Sequence, residues 1–473
     1  MTATDRAIQK LDAYRAQRAA DLDVALAQIT DTDIANAQRL VRTHGADIRY
    51  TPERGWHTWD GTRWAPDEKG LVVTARAKET AVAIFDEIKA ADNQTETFRH
   101  ARRSQSRQAI DNMVYLARSE PGIPMHLTDF DADPWLLNVV NGTIDLKTGT
   151  LRAHDRADAC SKLAGTSYDA AAECDAFETF IVEITGNDPD LYAYLWKFIG
   201  YSITGLTTDQ SLHFLHGTGA NGKSVLCEIV LAMLGDYGLV ASPDLIMARR
   251  HGGIPNDVAR LRGVRLAVMN ETSQGSRFDE SKLKDLTGGD TLSARFLREE
   301  FFDFRPTHKL VIRGNHKPVI HGTDDGIWRR LRLVPFNVAI PADRQDPQLL
   351  DKLKVELPGI LRWAVAGCLE WQRNGLKPPP IIADAVRRYR EESDTLGRFI
   401  AECCEVRKLA EVKSSAFFTR YQQFCEQSSE RWLSSKDLPL EMERRGFGWK
   451  RTNRGGLFLG VELVLSEVSR WQE

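Results

Sequence analysis

The sequence predicts an α/β protein: an α/β core, a mainly helical α+β region before it, and a winged helix at the carboxy-terminal end. Two runs of residues carry most of that prediction. The apolar strand Leu212 to His216 enters a glycine-rich loop and then the apolar-periodic stretch Val225 to Leu234, a strand–loop–helix order. Near the end, two helical stretches, Ala416 to Gln427 and Ser435 to Arg444, precede a strand pair around Asn453 to Gly456, and helices followed by a glycine-rich hairpin describe a winged helix.

Size and composition bound the rest. At 473 residues the chain has room for about three domains. Hydrophobic residues at 42% and charged residues at 27% are values of a folded globular protein. With 63 basic against 66 acidic residues the net charge is -3, so any signal for nucleic acid has to be local. No stretch approaches the roughly 18 apolar residues of a spanning helix, and the polar start does not suit a signal peptide. A cytoplasmic protein without a membrane partner is expected. Seven scattered cysteines with no CxxC pair read as reduced structural thiols.

The elements follow in order. Ile8, Leu11 and Tyr14 predict helix before residue 45. Trp56, Trp59 and Trp64 flank the Asp60-Gly61 turn of a β-hairpin, either as the core of a small sheet or as a surface for base stacking. From about 75 to 125 the pattern is helical, and Arg102, Arg103 and Arg107 read as one basic helix face. Asp129, Asp131 and Asp133 are turn residues before Pro134 or, less simply, a metal-holding carboxylate set. Trp135 to Leu146 reads as a strand pair about Asn141-Gly142, and Phe177 to Ile203 as helix.

The loop between Leu212–His216 and Val225–Leu234 is Gly217-Thr218-Gly219-Ala220-Asn221-Gly222-Lys223-Ser224, the GxxxxGKS pattern of a P-loop. Its glycines let backbone amides turn inward around phosphates, and the following helix points its positive end at them. Lys223, as a surface-loop lysine, is expected to reach the β and γ phosphates of ATP, and Ser224 to ligate Mg²⁺. The run Leu266 to Glu271 predicts the second strand such a site needs. Glu271 there is the expected general base and, with Ser224 and Asn270, a metal-site residue; Asn270 stands where many such enzymes carry Asp, so the metal is expected on Ser224 and waters, with Asn270 orienting one of them. A third strand, Lys309 to Gly314, ends in Asn315, placed to hold the attacking water or to suit a turn. Arg329 and Arg330 precede another strand; one is a candidate arginine finger toward a neighbouring subunit, and a basic edge strand is the plainer alternative.

These motifs in order, with Lys284, Thr287-Gly288-Gly289-Asp290, Arg295 and Trp328-Arg329-Arg330, resemble the superfamily III helicase domain of phage and plasmid primase-helicase proteins, related to the poxvirus primase-helicase. The resemblance covers about 85 to 340. It implies an AAA-like ATPase that assembles as a hexameric ring and translocates 3′ to 5′ on single-stranded DNA. It also implies a channel-lining hairpin between Glu271 and Asn315, so Lys284, Arg295, Arg298 and Arg305 become expected DNA contacts, beside Phe296, Phe301, Phe302 and Phe304, which stack on bases or pack the hairpin's foot. Independently, residues 249–332 hold 17 basic against 11 acidic residues. At the tail, residues 431–454 hold seven against three, and Lys450, Arg451 and Arg454 on the wing are expected to meet DNA, protein contact being the alternative.

The expected division is 1–84 helices and Trp-rich hairpin, 85–200 oligomerisation collar, 201–345 ATPase, 346–394 helical linker and 395–473 winged helix. The expected function is an ATP- and Mg²⁺-dependent ring helicase of a mobile element, acting on single-stranded and forked DNA, with a replication initiator, primase or polymerase as further partner. The alternatives are a nucleotide-switched DNA-binding scaffold, or a primase-helicase resting on Asp129, Asp131 and Asp133.

Overall fold

The computed structural model describes residues 31–248, 256–270, 277–296, 300–318, 320, 325–428, 430, 432–453 and 455–464. Ile8, Leu11, Tyr14, Glu271, Arg298 and Arg454 therefore lie outside the described residues.

The first core is built from α1 (Asp33–His44), whose first turn is capped by Thr32, and a meander of β1 (Ile48–Thr51), β2 (Gly55–Trp59) and β3 (Trp64–Pro66). Helices α2 (Leu71–Glu87), α3 (Gln94–Ser104) and α4 (Arg107–Ala117) follow. Leu40, Ile48, Trp56, Val73, Ile110 and Met113 close this core. Trp64 is buried against Leu127 and Phe130. With Trp56 and Trp64 only 5% and 1% exposed, the tryptophans serve as core, because alternating aromatics are how a short sheet buries area. The three arginines do not share a helix. α3 stops at Ser104, and the Ser106 hydroxyl caps α4 by accepting from the Ala109 N–H at 3.3 Å, so Arg107 starts a new element.

Each of the three neighbouring aspartates is tied to nearby backbone. Asp129 accepts from the His126 N–H at 2.9 Å, Asp131 from the Ser161 N–H at 2.9 Å and Asp133 from the Trp135 N–H at 2.9 Å. Asp129 and Asp133 thus act as turn residues, whereas Asp131 ties the segment to Ser161, 30 residues on.

The second core begins with a small antiparallel sheet of β4 (Leu136–Val139), β5 (Gly142–Asp145) and β6 (Thr150–Arg152), followed by α5 (Asp175–Ile184) and α6 (Pro189–Ser202). Then come β7 (Leu212–His216), α7 (Lys223–Leu234), β8 (Gly238–Ala241), β9 (Leu266–Met269) and α8 (Glu280–Gly288). A two-stranded ribbon of β10 (Leu292–Ala294) and β11 (Phe302–Phe304) precedes β12 (Lys309–Gly314) and β13 (Leu331–Pro335). Helices α9 (Leu357–Asn374) and α10 (Pro380–Ser393) complete it. The main sheet is five-stranded and parallel, in the order β13-β7-β12-β9-β8. Parallel sheets are covered on both faces, and here Phe180, Tyr194, Val230 and Trp363 belong to one apolar layer and Leu283, Trp328 and Tyr389 to the other. The first layer draws residues from Leu137 to Ile382 into one cluster. Two buried cations fasten the α6 end to the sheet. Arg265 donates to the carbonyls of Ile203 and Leu136, and the Lys309 amine to those of Thr204, Leu206 and Thr307. Burial holds that amine well below its ordinary range.

The third core holds α11 (Thr395–Cys403), β14 (Cys404–Lys413), α12 (Ser414–Gln427), α13 (Asp437–Arg444), β15 (Gly448–Thr452) and β16 (Gly455–Leu463). The sheet order is β14-β16-β15, antiparallel. Phe399, Phe417, Tyr421, Met442, Phe458 and Val461 are its centre. Helix α11 ends at Cys403, where the sequence carries no stop signal. The residues after it pair with β16, and the register shift between Val406 and Glu411 breaks the alternation that marks a strand in sequence. Among the described residues no helix is long and apolar enough to cross a membrane.

Candidate nucleotide site and nucleic-acid surfaces

The glycine-rich loop leaves β7 in the middle of the sheet, with β12 on one side and β13 on the other. Its shape depends on missing side chains. A Cβ on Gly217 would come within 2.3 Å of the Phe336 carbonyl oxygen and 2.4 Å of Asn221 Nδ2, while Gly222 has φ +80° and lies against Ile184 and Phe180, a backbone that side chains resist. The chain after β13 braces the loop: Phe336 N–H donates to His216 O, Ile340 N–H donates to Ala220 O, and Asn221 Nδ2 donates to Phe336 O at 3.1 Å. Helix α7 begins at Lys223 with no side-chain cap, so its first-turn amides are not taken by a capping residue.

Lys223 is 6% exposed, and this corrects the expectation of a surface-loop lysine. Its amine donates to Gly217 O at 2.8 Å, Asn221 Oδ1 at 2.9 Å and Asn315 Oδ1 at 3.3 Å. The loop and the tip of the adjacent strand thus meet at one ammonium. Thr218, Ala220 and Ser224 are exposed. An uncapped helix start, a loop closed to Cβ atoms and an ammonium held inside it suit the oxygens of a polyphosphate, and the exposed Ser224 hydroxyl suits a divalent ion carried with it.

Arg313, on β12, is a residue that motif reading passed over. Its guanidinium donates to Asn270 Oδ1 at 2.8 Å, to Ser224 O at 3.3 Å and to Glu228 Oε1 at 3.1 Å. Asn270 directly follows β9 and precedes Glu271 in the chain, so one side chain connects the tips of β9 and β12 with the first turns of α7. The available signal was a cation inside the otherwise apolar run Leu310 to Gly314, with buried neighbours Ile312 and Gly314.

The paired arginines separate. Arg330 is 9% exposed and donates to Thr287 Oγ1 at 3.1 Å, whereas Arg329 is exposed.

Arg295 and Arg305 are exposed, and Lys284 is half-buried. The ribbon β10–β11 pairs Leu292 with Phe304 and Ala294 with Phe302. The phenylalanines differ in burial. Phe296 stacks on Phe302 at 5.7 Å and Phe304 is buried, forming the foot, while Phe301 is 58% exposed under the Arg295 guanidinium at 4.8 Å. The Arg54 guanidinium, from the turn between β1 and β2, lies 3.7 Å from the Phe296 ring centroid and joins the first core to this ribbon. On β15, Lys450 and Arg451 are exposed next to the 38%-exposed Trp449.

A parallel sheet that carries a glycine-rich loop and an uncapped helix start, with a polar residue at the adjacent strand tip, defines the chain as a mixed α/β protein. Residues 37–186 match the family described as D5 N terminal like, and residues 215–330 match a family of unknown function, DUF5906. Curated relatives include a protein of Acanthamoeba polyphaga mimivirus named "Putative helicase", 26% identical over 59% of this chain and 31% of its own length. A Frog virus 3 protein with the same name is 31% identical over 42% of this chain and 23% of its own. A protein of African swine fever virus named "Putative primase" is 26% identical over 58% and 31%. The aligned part therefore spans a third or less of these relatives. Among solved structures, the apo NrS-1 C-terminal region aligns over 75% of this chain and 89% of that one with a TM-score of 0.42 at 8% identity, too distant to support a shared fold. The matched families and the names of these viral relatives are consistent with the primase-helicase family that the motif order resembles.

Proposed function

We propose that the chain is the motor of a replicative DNA helicase: an AAA-like, superfamily III ATPase that works as a hexameric ring on single-stranded and forked DNA in the cytoplasm of a mobile element's host. The observation that supports this most strongly is Lys223, whose amine joins Gly217 and Asn221 of the loop to Asn315 on the neighbouring strand. A nucleotide held there contacts both elements that must respond to it. In this reading Gly217 to Lys223 cradle the phosphates of ATP, and Ser224 holds the Mg²⁺, which neutralises charge on them. Glu271 takes the proton of the attacking water, Asn315 orients that water, and the exposed Arg329 reaches the ATP of the next subunit while Arg330 stays anchored on Thr287. Residues 85–200 contribute to the collar, Lys284, Arg295, Arg298 and Arg305 track DNA in the channel, and 395–473, as a winged helix, meets duplex through Lys450, Arg451 and Arg454. The relatives' names as helicase and primase support a replication role; an initiator, primase or polymerase is the further partner.

Glu271→Gln is the direct test of the chemistry. It removes the base and leaves the cradle, so ATP should bind within about threefold of the parent while turnover falls by about 10² or more. An equilibrium titration with a fluorescent ATP analogue and a phosphate-release assay check both. Parental turnover in this variant would move the base elsewhere, with Asp279 and Glu280 next to be replaced.

A further inference from the structure

Arg313 is the best-connected side chain of the site for which the reading above has no task. It sits on β12, the strand between the loop-bearing β7 and the β9 tip, and donates to Asn270 Oδ1, Ser224 O and Glu228 Oε1. A guanidinium has donors and no acceptor, so the amide oxygen of Asn270 must face it and the amide hydrogens must point away. That oxygen already accepts from a cation at 2.8 Å. Bringing a divalent ion onto the same oxygen would set two positive charges against each other.

We propose that Arg313 is a positioning residue of the nucleotide site: it turns Asn270 into a hydrogen-bond donor instead of a metal ligand, and fastens the strand end leading into Glu271 to the first turns of α7. This rests on the ATPase reading. It gives Asn270 a physical reason. An aspartate there would form a bidentate ion pair with Arg313 and would have no hydrogen to offer. Glu228, at the far side of the guanidinium, keeps the cation in place when Asn270 is neutral.

The experiment uses the full chain, with hydrolysis, analogue binding and thermal midpoint measured in parallel for the parent, Arg313→Lys, Arg313→Ala, Asn270→Asp and the double variant Asn270→Asp/Arg313→Ala. In Arg313→Ala, kcat should fall by about tenfold or more, since small misplacements of reacting groups cost that much, while analogue affinity stays within about threefold. Arg313→Lys keeps the charge and so the fold, but one ammonium cannot reproduce the fork, so its kcat should fall as well. The magnesium dependence is a readout that loss of packing alone would not move. Asn270→Asp should leave the half-saturating Mg²⁺ concentration near the parent's because its carboxylate is occupied by Arg313, whereas the double variant frees that carboxylate and should lower it by about tenfold. Parental kcat in Arg313→Ala, or an equal magnesium shift in Asn270→Asp alone, overturns the proposal. A parent chain that fails to bind ATP overturns the nucleotide reading along with it.

Discussion

Lys223→Met should bind ATP at least about a hundredfold more weakly than the parent. An ammonium shared by two phosphates supplies two charge-assisted bonds of roughly 1.5–3 kcal/mol each, and every 1.4 kcal/mol is about a factor of ten in affinity. Methionine keeps the buried stem, so the loss is confined to the charge and its hydrogen bonds. Some stability should go too. The amine of a residue 6% exposed donates to Gly217 O, Asn221 Oδ1 and Asn315 Oδ1, and losing such a donor costs about 1–3 kcal/mol. A melting point a few degrees lower is therefore expected alongside the lost affinity, and both are read in one nucleotide titration followed by thermal denaturation. Undiminished ATP affinity in a folded Lys223→Met chain would remove the phosphate role from the loop.

Arg329→Ala should leave ATP binding and assembly unchanged and cut turnover by about 10³ or more, the usual cost of losing an arginine that stabilises the transferring phosphoryl group from a neighbour. The structure makes the two arginines unequal. Arg330 is buried and spends a donor on Thr287 Oγ1, so Arg330→Ala should lower stability first. Arg329 is exposed and can act across an interface. Because such a residue acts in trans, mixing the Arg329→Ala chain with Lys223→Met subunits should restore part of the ATPase activity, at interfaces that pair an intact loop with an intact Arg329. Co-assembled mixtures that never recover activity would argue against shared sites, and would favour a nucleotide-binding scaffold.

What was legible in the sequence follows from how local the cause is. The strand–loop–helix about Lys223 is contiguous, and Gly217 and Gly222 are required by steric contacts, so the motif and the geometry coincide. The Asp60-Gly61 and Asn453 to Gly456 turns were read from short-range turn chemistry, and β2–β3 and β15–β16 flank them. Three features escaped because their cause is tertiary. Lys223 looked like a surface residue until β12 and Asn315 were packed against it. Arg313 has no motif, since its partners Asn270 and Glu228 are 43 and 85 residues away. β14 is a strand only because β16 pairs with it, and its bulge hides the alternation. The basic stripe Arg102, Arg103 and Arg107 is broken for the opposite reason, a local one: Ser106, a good N-cap, interrupts it.

The most direct single measurement is ATP-dependent strand displacement on forked DNA by the full chain, with Lys223→Met as control. The expected result is displacement that requires ATP, Mg²⁺ and a single-stranded arm and that vanishes in the control; ATP hydrolysis stimulated by single-stranded DNA, with the fork left intact at every protein concentration that assembles, would contradict a motor.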